Sequence, residues 1–409
     1  MEDKTICKGL SVTAIVLVAV SVLLLSLNST NGYLYGDKAT FYGIPFIAAF
    51  AVPLLMILIL LTHYISSTDT VEDMIASVAV RYAIFGWFFV FGLKFAVALM
   101  EIFFADFFYE HFSSIYLIMN SFNVAVVGTL VLSFFLRKVP AVKIEKRKLK
   151  IGQLLLLIMI MYGITQVGSV MGLPIHLALS SFSVGDESDL GGQLATLLFD
   201  SNMFVRILTV GIIPAIFEEL LFRKFLIDRT IRHGEFISCA MSGIMFGLWH
   251  GNFQQFFYAF FIGVLLAFVY IRTGNIIYTM IMHASMNLVT TTVTLQLLYA
   301  LLEKMGLDLE TGTFNTDIDY EKMIRSIIPL LLILMLWVVI LSGFQIAGFI
   351  IAIVKRKKFK LVTMEGEPGR KELLHKLTHS VEMWVFFTFA IMLFVYSYLP
   401  EIAAFILSK

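Results

Sequence analysis

The chain has 409 residues, of which 59% are hydrophobic and only 14% are charged. Soluble domains carry about 25% charged residues, so this composition excludes a soluble globular protein. Lys and Arg together number 30, and Asp and Glu number 29. Because nucleic-acid binding depends on an excess of basic residues, we expect no nucleic-acid partner.

Apolar stretches of about 20 residues recur along the chain, a length typical of membrane-spanning helices rather than of barrel strands. We predict eleven segments: 9–27, 44–62, 77–105, 115–136, 150–173, 204–227, 236–250, 254–272, 275–295, 327–353 and 382–405. The first follows Lys4 and Lys8 and lacks a good cleavage site, so we interpret it as a retained anchor rather than a signal peptide. The predicted fold class is an all-α polytopic membrane protein with about eleven transmembrane helices.

Basic residues in the loops predict the orientation, because cytoplasmic loops are rich in Lys and Arg. Residues 137–150 hold seven Lys or Arg and residues 354–378 hold eight, so both should be cytoplasmic. Residues 174–203 hold none, and residues 296–326 hold six acidic against three basic residues, so both should lie outside. Eleven spans with a cytoplasmic N-terminus and an extracytoplasmic C-terminus satisfy all four loop assignments. We expect the membrane to be the plasma membrane. Only the loop 63–76 is predicted to be cytoplasmic without Lys or Arg.

Ionisable residues inside apolar segments are costly and therefore informative. Segment 77–105 contains Arg81, Lys94 and Glu101. Arg81 and Glu101 lie near the ends of this segment, so we expect their long side chains to snorkel toward the membrane surface. Lys94 lies deeper and should find a protein partner. We interpret these three residues as structural.

Segment 204–227 contains two adjacent carboxylates, Glu218 and Glu219. Glu219 and Arg223 are four residues apart with the acid first, the favourable order for a helical salt bridge. Glu218 points about 100° away from Glu219, so it should face other groups. This geometry gives Glu219 and Arg223 a supporting role, and Pro214 should kink the helix. Alternatively, the set is an ion-pair network that only holds helices together.

His283 and Asn287 also lie four residues apart and share one helix face. His250 ends the segment 236–250, which is short for a span and is therefore predicted to be short or to begin within the membrane. With Glu218, these residues supply a carboxylate, two imidazoles and an amide. Such groups could activate water and stabilise an oxyanion. They could equally hold a metal, since two His and one Glu form a known catalytic zinc set.

Three polar motifs follow one another in order: Glu218-Glu219-xxx-Arg223, Phe246-xxx-His250 and His283-xxx-Asn287. Together they resemble the CPBP family of intramembrane proteases, the CAAX proteases and bacteriocin-processing enzymes also called the Abi family. The resemblance covers roughly residues 205–295. It implies a helical bundle around a buried polar cavity that opens toward the cytoplasmic side and the bilayer.

The resemblance also implies roles for individual residues. Glu218 with His250 would activate the hydrolytic water, and His283 with Asn287 would bind the oxyanion. If the enzyme is a metalloprotease, Glu218, His250 and His283 would hold a divalent metal such as zinc. A metal-independent, glutamate-driven mechanism is equally open, and the chain lacks the His-Glu-x-x-His zinc motif.

The resemblance divides the chain into three regions. Residues 1–150 are N-terminal membrane helices outside the match, and residues 151–300 are the catalytic membrane core. Residues 301–409 comprise an outer acidic loop, two further membrane helices and a basic cytoplasmic loop. The two cysteines, Cys7 and Cys239, are too few and too far apart for a disulfide framework.

The leading hypothesis is an intramembrane endopeptidase that cleaves a membrane-associated, prenylated-type or peptide-precursor substrate by Glu/His-activated water. Its partners would be a peptide or membrane-protein substrate and the lipid bilayer. An alternative is a non-catalytic membrane immunity or scaffold protein. A third is a transporter, which the absence of an inverted repeat disfavours. The sequence does not indicate an oligomeric state.

Overall fold

The computed structural model describes residues 2–35, 43–65, 67–180, 197–306, 320–363 and 366–407. These ranges are predominantly helical and contain no strand. The α-helices discussed below are α1 (Glu2–Tyr35), α2 (Gly43–Tyr64), α3 (Val71–Trp87), α4 (Leu93–Glu110), α5 (Phe112–Phe122), α6 (Thr129–Leu136), α7 (Ile151–Ser180), α8 (Met203–Arg206), α9 (Ile213–Glu219), α10 (Leu226–Thr230), α11 (Glu235–Trp249), α12 (Phe253–Thr273), α13 (Ile276–Leu288), α14 (Leu295–Lys304), α15 (Tyr320–Val354), α16 (Arg370–His379) and α17 (Val381–Leu407).

Short π-helical segments join several neighbouring α-helices into longer rods: Phe88–Gly92, Asn123–Gly128, Ile207–Ile212, Leu220–Phe225 and Val289–Thr294. A π-turn inserts one extra residue and therefore rotates the side chains that follow it relative to those before. Three of the five segments lie within residues 203–304, the region that contains the polar motifs.

Within the described ranges, eight helices are long and apolar enough to cross a membrane, so the prediction of a multi-pass all-α membrane protein is confirmed. Two shorter apolar helices, Ala49–Tyr64 and Glu235–Trp249, and the broken stretch 203–233 correspond to the three remaining predicted segments. All eleven predicted segments are thus helical, and the count of eleven spans stays a prediction.

One side of the bundle collects the segments that are rich in Lys and Arg, and we call it the basic face. The contacts that define it are Lys376–Glu72, Arg272–Glu235, Val142 N–Asp228 O and Arg147 N–Thr273 O. They bring residues 137–150 and 354–378 together with the loop 63–76. That loop lacks Lys and Arg because it supplies an acidic partner, Glu72, to Lys376 at 3.0 Å. Hydrogen bonds to Glu372 and Glu72 raise the pKa of Lys376.

Arg81 does not snorkel, and that expectation was wrong. Its side chain is buried, 3% exposed, and donates to the carbonyls of Phe135 at 2.9 Å and Ser77 at 2.7 Å. It also reaches the carbonyls of Ile65 at 3.2 Å and Thr62 at 3.4 Å. The carbonyls of Phe135, Ile65 and Thr62 lie at or just beyond the ends of α6 and α2, where helical geometry leaves acceptors without a backbone donor. Five N–H groups allow one arginine to satisfy several of them.

Lys94 has the protein partner that was predicted for it. Its Nζ donates to the hydroxyl of Tyr396 at 2.5 Å and lies 4.9 Å from the centre of the same ring. The contact ties the helix α4 to α17, near the end of the chain. Glu101 is exposed and accepts a hydrogen bond from Tyr109.

Replacing Arg81 with Met should destabilise the bundle, because several buried carbonyls lose their donor together. We expect the thermal unfolding midpoint in detergent to fall by at least about 5 °C. Arg137→Met is the matched control, because Arg137 is exposed and packs over Phe134. Equal midpoints for the two variants would contradict the role assigned to Arg81.

Candidate active site

The helix that carries Glu218 and Glu219 is interrupted on both sides. Pro214 lies in the first turn of α9, and the preceding segment Ile207–Ile212 is π-helical, so the helix is irregular where a kink was predicted. Proline has no N–H, so the carbonyl four residues earlier, that of Val210, loses its usual helical donor. Asn287 donates to this carbonyl from Nδ2 at 3.1 Å. Asn287 therefore anchors α13 to the interrupted helix.

The predicted ion pair between Glu219 and Arg223 is confirmed. Both side chains are fully buried, and Arg223 Nε lies 3.2 Å from Glu219 Oε2. The guanidinium carbon lies 4.5 Å from the centre of the Phe246 ring. The other carboxylate oxygen of Glu219 accepts a hydrogen bond from His283 Nδ1 at 3.0 Å. Glu219 is therefore held between a cation and an imidazole and is sealed from water.

Glu218 faces a different direction from Glu219, as the helix geometry predicts. Its side chain is 14% exposed, and its nearest charged partner is His283 Nε2 at 3.9 Å. This distance is too long for a hydrogen bond. Of the two adjacent carboxylates, Glu218 is thus the one that solvent can reach.

The short helix α11 places His250 in a turn. Its 15 residues span about 22 Å, less than the hydrocarbon core of a bilayer, so the prediction of a short segment is confirmed. Gly251 has a φ of +66°, which reverses the chain, and Asn252 caps α12 by accepting from the N–H of Gln255. The chain then returns along α12, and an ion pair between Glu235 and Arg272 joins the other ends of the two helices.

Hydrogen bonds define the tautomers of both histidines. His250 Nδ1 lies 2.8 Å from the carbonyl of Phe246, and His283 Nδ1 lies 3.0 Å from the carboxylate of Glu219. Both partners are acceptors, so each Nδ1 carries a hydrogen. In the neutral rings, each Nε2 therefore keeps its lone pair.

Phe246 is the functional neighbour whose position the sequence did not reveal. Its ring lies edge-on to His250 and His283, at centroid distances of 4.9 Å and 5.6 Å, and below Arg223. Both imidazoles therefore pack against the same aromatic ring. The sequence does indicate the contact with His250, because Phe246 precedes it by one helical turn. It does not indicate the second contact, with His283, which lies on another helix.

The structure therefore brings some predicted residues together and leaves others apart. His283 contacts Glu219 through Nδ1 and lies 3.9 Å from Glu218 through Nε2. Arg223 contacts the other carboxylate oxygen of Glu219. Among the described residues, no hydrogen bond or ion pair joins His250 to Glu218.

The metal prediction can be compared with the arrangement of these donors. Nδ1–H groups bound to an acceptor also orient metal-binding histidines. However, within the ranges that the structure describes, no three His, Cys, Asp or Glu side chains form a group that could hold a metal ion. Glu218, His250 and His283 do not fit a three-ligand site in this arrangement, so no step below is routed through a metal.

Two isosteric variants should separate the roles of the adjacent carboxylates. Glu219→Gln leaves Arg223 as an uncompensated buried charge and should cost about 3–5 kcal/mol of stability. Glu218→Gln removes the carboxylate that has no close partner and should leave the unfolding midpoint unchanged or slightly higher. Thermal unfolding of both purified proteins measures the difference, and equal losses would contradict these roles.

One comparison with known protein families gave a match that covers the candidate site. Residues 200–289, which are 90 of the 409 residues, match the family model described as type II CAAX prenyl endopeptidase Rce1-like. The match contains all three polar motifs. Comparisons with curated proteins and with solved structures gave no match. Residues 200–289 are therefore similar to the Rce1-like domain, in agreement with the CPBP family that the motifs of this chain resemble.

Proposed function

We propose that this protein is an intramembrane endopeptidase in which Glu218 activates the hydrolytic water. The observation that carries the proposal is the contrast between two adjacent carboxylates. Glu219 is fully buried and paired with Arg223, whereas Glu218 is 14% exposed and has no partner within hydrogen-bond distance in the part of the chain that the structure describes. A general base must be able to reach the water that it deprotonates, and only Glu218 meets this condition. The Rce1-like family match supports a protease.

In the proposed reaction, Glu218 accepts a proton from water while the oxygen of that water bonds to the carbonyl carbon of the substrate. The resulting oxyanion needs hydrogen-bond donors. Asn287 retains a second Nδ2–H, since only one donates to Val210. The C–N bond then breaks, and the proton held by Glu218 passes to the leaving amine.

The two histidines would assist from either side of Phe246. His250 keeps its Nε2 lone pair, so it can orient the water through one hydrogen bond. His283 is positioned by Glu219 and can donate to the oxyanion only when Nε2 is also protonated. Glu219 and Arg223 are thus positioning residues that act through His283.

The remaining helices support this core in the proposed organisation, with residues 151–300 as the catalytic region. Tyr82, among the N-terminal helices of residues 1–150, donates to the carbonyl of Leu221 at 2.5 Å. Leu221 lies in the π-segment that follows Glu219. The N-terminal helices therefore stabilise the irregular backbone beside the site. The substrate is proposed to be a membrane-associated or prenylated-type peptide or a peptide precursor.

Replacing Glu218 with Gln should abolish cleavage, with a loss of at least about 100-fold. The measurement compares the peptide termini in membranes and medium, by mass spectrometry, in native cells that carry matched levels of either protein. Termini that disappear in the variant identify the substrate. Glu145→Gln, on an exposed carboxylate of the basic face, is the control and should preserve them. Identical termini in all three strains would favour the immunity or scaffold function.

We propose that the reaction does not require a metal, because the described donors do not form a three-ligand group. Purified active protein should then contain less than about 0.1 equivalent of zinc, by elemental mass spectrometry, and 1,10-phenanthroline should leave cleavage unchanged. Stoichiometric zinc that is lost in Glu218→Gln together with activity would instead establish a metalloprotease.

A further inference from the structure

A cavity of about 490 Å³, with a largely apolar lining that includes several amide and hydroxyl side chains, lies between α7, α12 and the stretch from α13 to α14. Its wall includes the amides of Gln166, Gln254 and Gln255 and the hydroxyls of Tyr258 and Thr290. No charged side chain among the described residues lines it. Three glutamines on membrane helices at one cavity are unusual, because an amide in hydrocarbon loses its hydrogen bonds with water.

The cavity lies at the end of the bundle remote from the basic face. Gln166 lies about 22 Å along α7 from Ile151, where the helix leaves that face. Gln254 lies in the first turn of α12, whose last residue, Thr273, bonds to Arg147 on the basic face. The family resemblance implies an opening on the cytoplasmic side, whereas this cavity lies at the other end.

The amides of the cavity need polar surroundings. The side chains of Gln166 and Gln254 are exposed, and neither amide has a hydrogen-bond partner among the described residues. Lipid tails cannot satisfy these donors and acceptors, so their exposure requires contact with water or with a polar ligand.

The cavity shares its wall with the proposed active site. Gln255 and Tyr258 lie in the first two turns of α12, directly after the turn that carries His250. On the opposite wall, the hydroxyl of Thr291 donates to the backbone carbonyl of Asn287 at 2.6 Å. The lining of the cavity is therefore one helical turn from Asn287 and adjoins the turn that carries His250.

We propose that this cavity binds an uncharged, extended peptide segment of the substrate, which reaches Glu218 from the side opposite the basic face. The inference rests on the proposed protease function. An amide side chain offers a donor and an acceptor, the same pair that each peptide unit of an extended chain presents. A charged substrate residue would lose hydration here and find no charged partner, so it should be excluded.

The test uses a single cysteine as a probe of the cavity. Cys7 and Cys239 are replaced by Ser and Ala, and Gln166→Cys is introduced together with Glu218→Gln, so that no peptide is cleaved. A membrane-impermeant maleimide added to intact cells should label Cys at position 166. In proteoliposomes, a ten-residue peptide of Ala, Ser and Leu at millimolar concentration should slow labelling at least threefold. The same peptide with two Lys or two Asp should not.

Two matched control variants test how deep position 166 lies in the membrane and from which side the maleimide reaches it. Val339 is 67% exposed and lies 15 residues before the end of α15, the same depth from the basic face as Gln166. Val339→Cys faces lipid and should not react. Lys360→Cys lies on the basic face, beside Arg272, and should react only after the cells are permeabilised.

Three outcomes would overturn the proposal. These are no reaction at position 166, reaction there only after permeabilisation, and equal protection by neutral and charged peptides or by neither. None of them depends on catalysis, because every protein carries Glu218→Gln. Failure of the protease function is read separately, from peptide termini in cells, so the two failures can be distinguished.

Discussion

The buried contact between Glu219 and Arg223 is the interaction on which the site depends. An unpaired charge in the membrane interior costs several kcal/mol, so each carboxylate there needs a partner or access to water. Arg223 neutralises the charge of Glu219, and His283 donates a hydrogen bond to its other oxygen. This arrangement connects the interrupted helix to α13 and leaves Glu218 as the accessible acid. Buried ion pairs seldom add net stability over apolar packing, so the retention of this one favours a functional reason.

Backbone carbonyls impose the second constraint. The bilayer interior holds no water to satisfy them, so irregular backbone survives there only where side chains supply donors. Asn287 serves the carbonyl left by Pro214, and Tyr82 serves that of Leu221. Arg81 does the same at the ends of α2 and α6. Donors from distant helices thus stabilise the π-turns around Glu218 and Glu219.

The hairpin formed by α11 and α12 determines where His250 lies and which side chains stand beside it at the end of the bundle opposite the basic face. Because α11 is short, His250 lies in a turn within the bundle, and Phe246 spaces it from His283. The start of α12, just beyond the turn, carries glutamines at the end opposite the basic face. The basic face therefore carries ion pairs such as Glu235–Arg272, whereas the residues that line the cavity at the other end are uncharged.

Local patterns in the sequence predicted much of this arrangement. Hydropathy predicted the helices, and the four-residue spacing predicted the pairing of Glu219 with Arg223. The motif order indicated the family over residues 200–289. These inferences succeed because each depends on residues within a few turns of one helix, where geometry is set by the helix itself.

Only the tertiary structure decided the contacts between helices. His283 meets Glu219 across 64 positions, and Asn287 meets Val210 across 77. Arg81 was expected at the membrane surface, yet it is buried, because hydropathy does not show which helix ends lie nearby. The local sequence pattern around a residue determines whether the residue lies in a helix and which face of that helix it occupies. The partner on that face is determined by how the helices pack, and packing places residues together that no local spacing relates.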